Sequence, residues 1–313
     1  ERLLRANRLL TLVGPGGTGK TRLALQVASE MLDEFPDGAW LVDLAPSSQP
    51  FQVPQAVAQA LGLRAESPEL AEPTPLDHHV RDALSLSLDH LRDKTLLLIL
   101  DNCEHLIEAS AQVAEQLLRA APGLRILATS REALAIAGEM SYPVPALSLP
   151  DPGQLPPLEA VAQTEAVRLF VERAQAVRPD FALTDENVQT VVQICQTLDG
   201  IPLALELAAA RTRALTVQEI AAHLAERDRF RLLTGGSRSA PQRQQTLRGA
   251  MDWSYELLGA EEQSVLRRLS VVAGGWTLEA AEQVIGGPEV LDLLTQLVAK
   301  SLVVSEQLPV LGA

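Results

Sequence analysis

The sequence predicts an α/β fold, a parallel sheet with helices on both faces, followed by a helical half. Three observations carry this. Apolar runs of strand length at residues 9–13, 39–44, 95–101 and 125–130 alternate with stretches of helical periodicity. The run at 95–101 is almost unbroken leucine and isoleucine, as a strand buried on both faces requires. After Pro150 strand-like runs give way to amphipathic spacing, and alanine is abundant while aromatics make up only 3%.

Leu9-Leu10-Thr11-Leu12-Val13 reads as the first strand. A helix follows through residues 21–35, with Leu23, Ala24, Val27, Ala28, Met31, Leu32 and Phe35 on its apolar face. Pro36-Asp37-Gly38 turns the chain into the second strand at 39–44. Residues 64–79 are rich in Pro, Glu and Ser and read as a surface loop. Val80, Leu84, Leu88 and Leu91 then mark a helix. His78, His79 and His90 lie here without the Cys or carboxylate partners of a metal site, so they read as solvated histidines. The strand at 95–101 precedes a helix at 104–120 and a strand at 125–130. Tyr142-Pro143-Val144 suggests a fifth strand at an edge, where proline is tolerated. Helices are expected at 162–177, 185–198, 202–214 and 216–226, and again at 246–258, 260–270, 277–285 and 288–299. Residues 227–245 form a looser connection, and 301–304 a final strand.

The chemistry is concentrated between the first strand and the first long helix. Gly14-Pro15-Gly16-Gly17-Thr18-Gly19-Lys20-Thr21 fits G-x-x-x-x-G-K-[ST] in the strand–loop–helix context that this phosphate-binding loop needs. Gly14, Gly16, Gly17, Thr18 and Gly19 would turn backbone N–H groups toward an anion. The helix start adds unpaired N–H groups and a positive dipole end. Lys20 is placed for the β- and γ-phosphates, Thr21 for Mg²⁺, and Arg22 joins the nucleotide-binding set. The pattern implies a bound nucleoside triphosphate.

Asp101 ends the strongest strand, at the sheet edge where open α/β folds bind ligands. It would hold Mg²⁺ together with Thr21; the alternative is a helix N-cap. Asn102 follows where many hydrolytic loops of this kind have a glutamate, and it cannot serve as a base. Glu104 is the nearest carboxylate that could orient water, its alternative being a favourable charge in a helix's first turn. Slow hydrolysis is therefore expected. Arg131, at the end of the neighbouring strand, could read a γ-phosphate, with a surface salt bridge as the alternative.

Composition sets the bounds. The chain has 313 residues, 47% of them hydrophobic, with no run long enough to span a membrane as a helix and no signal-peptide layout at the start. Cys103 and Cys195 share no metal-ligand spacing and read as buried thiols of a reducing, cytoplasmic setting. A net charge of −14 argues against broad contact with nucleic acid.

Taken together, Gly14–Thr21, Leu96–Asn102 with Cys103-Glu104-His105, Ile126–Glu132 and Gly200-Ile201-Pro202-Leu203-Ala204 resemble signalling NTPases of the STAND class. The nearest likeness is to the NB-ARC-like modules of bacterial LuxR-type and related multidomain transcriptional regulators, over nearly the whole chain. The resemblance implies three parts: a P-loop domain at 1–150, a helical domain with the Gly-x-Pro motif at 151–235, and a winged-helix-like domain at 236–313. It assigns Lys20 and Thr21 to the Walker A pair, Asp101 to the Walker B acid, Arg131 to the sensor arginine and Pro202 to the proline that packs on adenine. Gly200-Ile201-Pro202 also reads, on its own, as a helix start with proline near the first position. The upstream adenine-holding segment and the terminal hairpin of that family are not evident, which reads as truncation.

The expected function is an ATP/ADP switch with Mg²⁺, acting on effector and sensor domains outside this chain, with nucleotide-dependent homo-oligomerisation. A P-loop small-molecule kinase would need a lid rather than a long helical half. A DNA-binding winged helix is the third reading, drawing on Arg227, Arg229, Arg231, Arg238, Arg243 and Arg248. Direct DNA contact by this chain is not expected, since those arginines can pair with the protein's own carboxylates.

Overall fold

The computed structural model describes residues 1–63, 76–151, 156–225, 233, 246–272, 275–287 and 289–305. The chain divides into two compact units. One comprises Glu1–Pro15, Lys20–Val144 and Pro288–Ala313; the other comprises Gly16–Gly19 and Pro145–Gly287.

The first unit is built on a five-stranded parallel sheet. Its strands are β1 (Leu9–Val13), β2 (Ala39–Asp43), β3 (Leu97–Asp101), β4 (Arg125–Ser130) and β5 (Glu139–Pro143), in the order β2-β3-β4-β1-β5. Its helices are α1 (Arg2–Ala6), α2 (Lys20–Glu30), α3 (Gln52–Ala60), α4 (Leu76–Leu91) and α5 (Ile107–Ala120). Alternate residues of the central strands feed two cores. Leu9, Leu98, Leu100, Ile126 and Ala128 join the core that includes Val53, Val57, Leu91 and Leu117. Leu10, Leu12, Leu97, Ile99 and Leu127 join the one that includes Leu4, Ala24, Ala28 and Met31. That two-sided burial explains why β3 and β4 are apolar without alternation.

The edges differ from the central strands. β2 pairs only with β3, and Trp40 and Leu41 remain exposed, so the apolar run there is only partly a core signal. The fifth strand lies at the other edge and starts three residues before the expected Tyr142. The helix α3 was not anticipated. No element is assigned to residues 45–63 from the sequence; Pro54 is the third residue of α3, where its missing N–H costs little.

Two arginines close backbone ends. Arg8 donates from Nη2 to the Leu118 and Ala121 carbonyls, both at 2.6 Å, and from Nε to Leu124 at 3.3 Å. It thereby supplies donors and positive charge at the C-terminal end of α5. Arg125 bonds the Leu4 and Asn7 carbonyls, both at 2.8 Å, and does the same for α1.

The second unit is helical. It holds α6 (Leu158–Gln163), α7 (Glu165–Val177), α8 (Val188–Thr197), α9 (Pro202–Ala209), α10 (Val217–Ala225), α11 (Leu247–Glu256), α12 (Ala260–Leu269) and α13 (Leu278–Ile285). One expected helix at 162–177 is two, broken at Thr164, which has extended dihedrals. Its core gathers Phe170, Val191, Ile194, Leu205, Leu207 and Ile220. Phe170 meets Phe181 edge-on at 6.2 Å between ring centroids.

The last helix, α14 (Val290–Ala299), belongs to the first unit. Residues 301–304, expected as a strand, instead finish this helix. Ser301 takes a left-handed φ of 57° and donates its N–H to the Val298 carbonyl, while Leu302 donates to Leu297. Both N–H groups are spent on a Schellman-type cap and are not available to a sheet. The loop at 64–79 lies outside the described residues up to 75. So do Arg227, Arg229, Arg231, Arg238 and Arg243, and the side chains of His78 and His79. Among the described residues no helix is long and apolar enough to cross a membrane, and no group of three His, Cys, Asp or Glu residues is arranged to hold a metal.

The α5 cap is testable. Arg8→Ala should lower the unfolding free energy by about 1–3 kcal/mol, because it strips donors from three carbonyls at once. Urea unfolding should show a lower midpoint with an unchanged slope; an unchanged midpoint would remove Arg8 from this role.

Candidate functional site

The C-terminal ends of β1, β3 and β4 bring the expected polar residues of the first unit together. Asp101 is the last residue of β3. Its Oδ1 accepts the Thr21 hydroxyl at 2.7 Å and the Thr129 hydroxyl at 2.6 Å. Thr129 Oγ1 also accepts the Asn102 N–H at 2.9 Å. One carboxylate oxygen thus ties together the helix after the loop, β3 and β4. The N-cap positions of the two helical segments that follow are Asn102 and Leu106, so Asp101 is not the N-cap that the sequence also allowed. Thr129 was not picked out from the sequence. Its only signal there is a hydroxyl at the end of a buried strand, beside the arginine that was noticed.

Burial raises the Asp101 carboxyl above its ordinary value, opposed by the hydroxyls of Thr129 and Thr21. Asn102 sits in the left-handed region, φ 67° and ψ 50°, and turns the chain sharply out of the strand. Its amide nitrogen lies 3.1 Å from His105 Nδ1, while His105 Nε2 lies 2.8 Å from the Ser47 carbonyl. A carbonyl only accepts, so Nε2 carries the proton. Cys103, directly behind the site, is fully buried, and burial drives its thiol pKa upward. Buried Cys195 shifts the same way, so neither thiol suits nucleophilic chemistry.

Lys20 opens α2 and is only 8% exposed. Its ammonium donates to the Gly14 carbonyl at 2.8 Å and to Pro15 at 2.9 Å. Burial is the main cause that brings it down to about 8. Glu104 and Asp101 act against the shift and Arg131 adds to it. Arg131, just past β4, is 4% exposed and pairs with Glu104 through Nε and Oε1 at 3.4 Å. The sequence alternative for Arg131 was a surface salt bridge; the pair is buried instead. Glu104 lies in the short 3₁₀ turn Cys103–His105, and its Oε2 is buried without a hydrogen-bond partner. The main chain of Arg131 is held too, since Ser301 Oγ donates to its carbonyl at 2.8 Å. That contact spans 170 residues and left no trace in the sequence reading. Arg22 is exposed on α2.

In the second unit, Gly16, Gly17, Thr18 and Gly19 group with the start of α9. Leu203 N–H donates to the Gly17 carbonyl at 3.1 Å. Gly17 has φ 85°, and a Cβ there would lie 2.8 Å from Leu203 Cβ, so conformation and space both demand glycine. Pro202 is the first residue of α9, and its Cγ would stand 4.0 Å from a Cβ on Gly19. Gly200 has φ 65°, and a Cβ would meet the Leu147 carbonyl oxygen at 2.3 Å. Packing within the unit therefore explains the glycine of the Gly-x-Pro motif, and the helix N-terminus explains its proline.

The arrangement suits an anion carrying a hard cation. Thr21 and Asp101 place a hydroxyl and a carboxylate at hydrogen-bond distance, and oxygen donors of this kind fit Mg²⁺. Few protein ligands are needed, because Mg²⁺ keeps waters and takes phosphate oxygens.

Residues 4–135 match the family described as an AAA domain. The Mycobacterium tuberculosis protein Rv0890c, provisionally named an HTH-type transcriptional regulator, is 45% identical over 309 residues. The match covers 97% of this chain but only 32% of that protein, so the chain spans about a third of its length. Protein Rv0894 of the same organism is 41% identical over 312 residues, covering 98% of this chain and 72% of Rv0894. Among solved structures, the Aeropyrum pernix ORC2 protein superposes with a TM-score of 0.50 at 14% identity, over 96% of this chain and 81% of that one; the likeness is one of fold.

Lys20 gives a pH-dependent prediction. Its pKa of about 8 in the folded chain lies below its ordinary 10.5. Between these values the unfolded chain binds more protons, so stability rises with pH. The cost of burying this charge is complete below pH 8 and is relieved toward pH 10.5. The unfolding free energy of the chain, minus that of Lys20→Met, should rise by about 2–3 kcal/mol between pH 7 and 10. A flat or falling difference would contradict a buried, desolvated ammonium.

The sequence match to Rv0894 and the AAA domain at residues 4–135 place the chain plainly: it belongs to the Rv0894 family, and its first part is a nucleotide-binding P-loop AAA domain.

Proposed function

We propose that this chain is an adenine-nucleotide switch of a multidomain regulator, a STAND-class module of the NB-ARC-like kind in which hydrolysis is slow. The observation that supports this most is the Thr21–Asp101–Thr129 junction directly beside a buried Lys20. It offers a cation for phosphates and an oxygen pair for Mg²⁺ at one sheet edge, where open α/β folds bind ligands. The ORC2 structure is described as ADPNP and ADP complexes, which favours adenine nucleotides for the shared fold. The name of Rv0890c favours a regulatory setting.

In this reading Lys20 leaves the Gly14 and Pro15 carbonyls and takes the β- and γ-phosphates. Loop residues 14–19 supply backbone N–H groups, and Arg22 stands near the same helix start. Thr21 and Asp101 hold Mg²⁺, which when bound neutralises phosphate charge. Asn102 has no basic group, so Glu104 is left to orient water. Arg131 reads the γ-phosphate and Pro202 packs on the adenine. Residues 151–235 are the helical part and 236–313 the winged-helix-like part. The bound state sets domain arrangement or homo-oligomerisation and is read by effector and sensor domains outside this chain, in a cytoplasmic setting and without direct DNA contact.

The test is the nucleotide that the purified chain retains. Chromatography of denatured samples should release ADP or ATP from the chain and little from Lys20→Ala. Scattering from ADP- and ATP-loaded samples should then differ in profile or mass. Absence of nucleotide from both proteins, with no binding on addition, would overturn the reading.

A further inference from the structure

The Arg131–Glu104 pair is an unusual place to leave a carboxylate. Both side chains are almost fully enclosed, at 5% and 7% exposure. Removing two charges from water is costly unless geometry is good and the remaining lone pairs are satisfied. Neither condition holds. The pair meets through one nitrogen and one oxygen at 3.4 Å, longer than the 2.7–2.9 Å expected of a strong charge-assisted bond. Glu104 Oε2 is buried with no hydrogen-bond partner. A place in the first turn of the next helix does not account for it, because α5 begins at Ile107 and its first-turn acid is Glu108.

The surroundings suggest what the carboxylate substitutes for. Glu104 and Arg131 lie near enough to Lys20 to act on its charge in opposite senses. Lys20 itself rests on two loop carbonyls, and Thr21 on Asp101. Lys20, Thr21 and Arg131 are thus each held by oxygen atoms of the protein, and for Thr21 and Arg131 that oxygen belongs to a carboxylate.

We infer that Glu104 is a built-in competitor of the γ-phosphate, holding Arg131 until a triphosphate displaces it and staying paired when a diphosphate binds. This rests on the nucleotide-binding reading above. A terminal phosphate at Arg131 would put two anions on one guanidinium in a site of low polarity, so the carboxylate must yield. A diphosphate has no terminal group to force the exchange. Glu104 therefore weakens triphosphate binding relative to diphosphate, and the exchange gives the two ligands the differential affinity a switch requires. A carboxylate that served only to hold metal would act in the opposite direction, since its loss would weaken triphosphate binding, and one that only repelled the γ-phosphate through space would keep its effect when Arg131 is replaced.

The experiment is calorimetric titration of the chain, Glu104→Gln and Glu104→Asp with Mg²⁺-ADP and with Mg²⁺-AMPPNP, a triphosphate analogue that is not hydrolysed. The quantity read is the ratio of the two dissociation constants, triphosphate over diphosphate. It should fall about tenfold in Glu104→Gln, the scale of one charge-assisted contact. Glu104→Asp, which keeps the charge but shortens the reach, should lower it less. In an Arg131→Gln background, Glu104→Gln should change the ratio no further. An unchanged or increased ratio in Glu104→Gln, with both nucleotides still bound, overturns the inference and leaves nucleotide binding standing. If Glu104→Gln does not fold, Glu104→Asp decides in the same sense. Failure of either nucleotide to bind the parent chain overturns both readings together.

Discussion

The Asp101 carboxylate organises the first unit's polar edge. Its Oδ1 takes hydroxyl protons from Thr21 on α2 and Thr129 on β4, while the next residue's N–H reaches back to Thr129. Three neighbouring elements are fixed relative to one another by an anion that the surrounding apolar core raises in pKa. The sheet order makes this possible. Inserting β4 between β1 and β3 lets the start of α2, the acid of β3 and the hydroxyl of β4 lie side by side. Parallel strands then aim all three at the same rim.

A cost accompanies that convergence. Lys20, Asp101, Glu104 and Arg131 are brought together largely out of solvent, and Glu104 keeps one buried carboxylate oxygen without a hydrogen-bond partner. Strain adds to it, with Asn102 held in a left-handed conformation immediately after the strand. Stability is spread elsewhere, in two leucine-rich cores and in arginine caps such as Arg8 that touch no part of the site. A rim that is polar, enclosed and incompletely satisfied is suited to exchange its internal contacts for those of a ligand.

Much of this was legible in the sequence, for identifiable reasons. β1, β3 and β4 are buried on both faces, so their apolar runs are unambiguous, and the glycine loop has a spacing tied to its chemistry. Lys20, Thr21, Asp101, Glu104 and Arg131 do converge. What escaped were contacts that depend on register or on distant chain. Thr129 reaches Asp101 only because β4 lies beside β3. Ser301 reaches the Arg131 carbonyl from the other end of the chain, through a helix cap that looked like a strand because Leu302, Val303 and Val304 are apolar. The burial of the Glu104–Arg131 pair was invisible as well, because charge in a sequence carries no sign of depth.

The account stands on the claim that the Thr21–Asp101 pair is the place of a nucleotide's metal ion. The most direct measurement is the dissociation constant of ADP with and without Mg²⁺, for the chain and for Asp101→Asn. The account predicts that Mg²⁺ tightens binding to the chain by about tenfold and that Asp101→Asn removes this effect while metal-free binding persists. An equal Mg²⁺ effect in both proteins would contradict it.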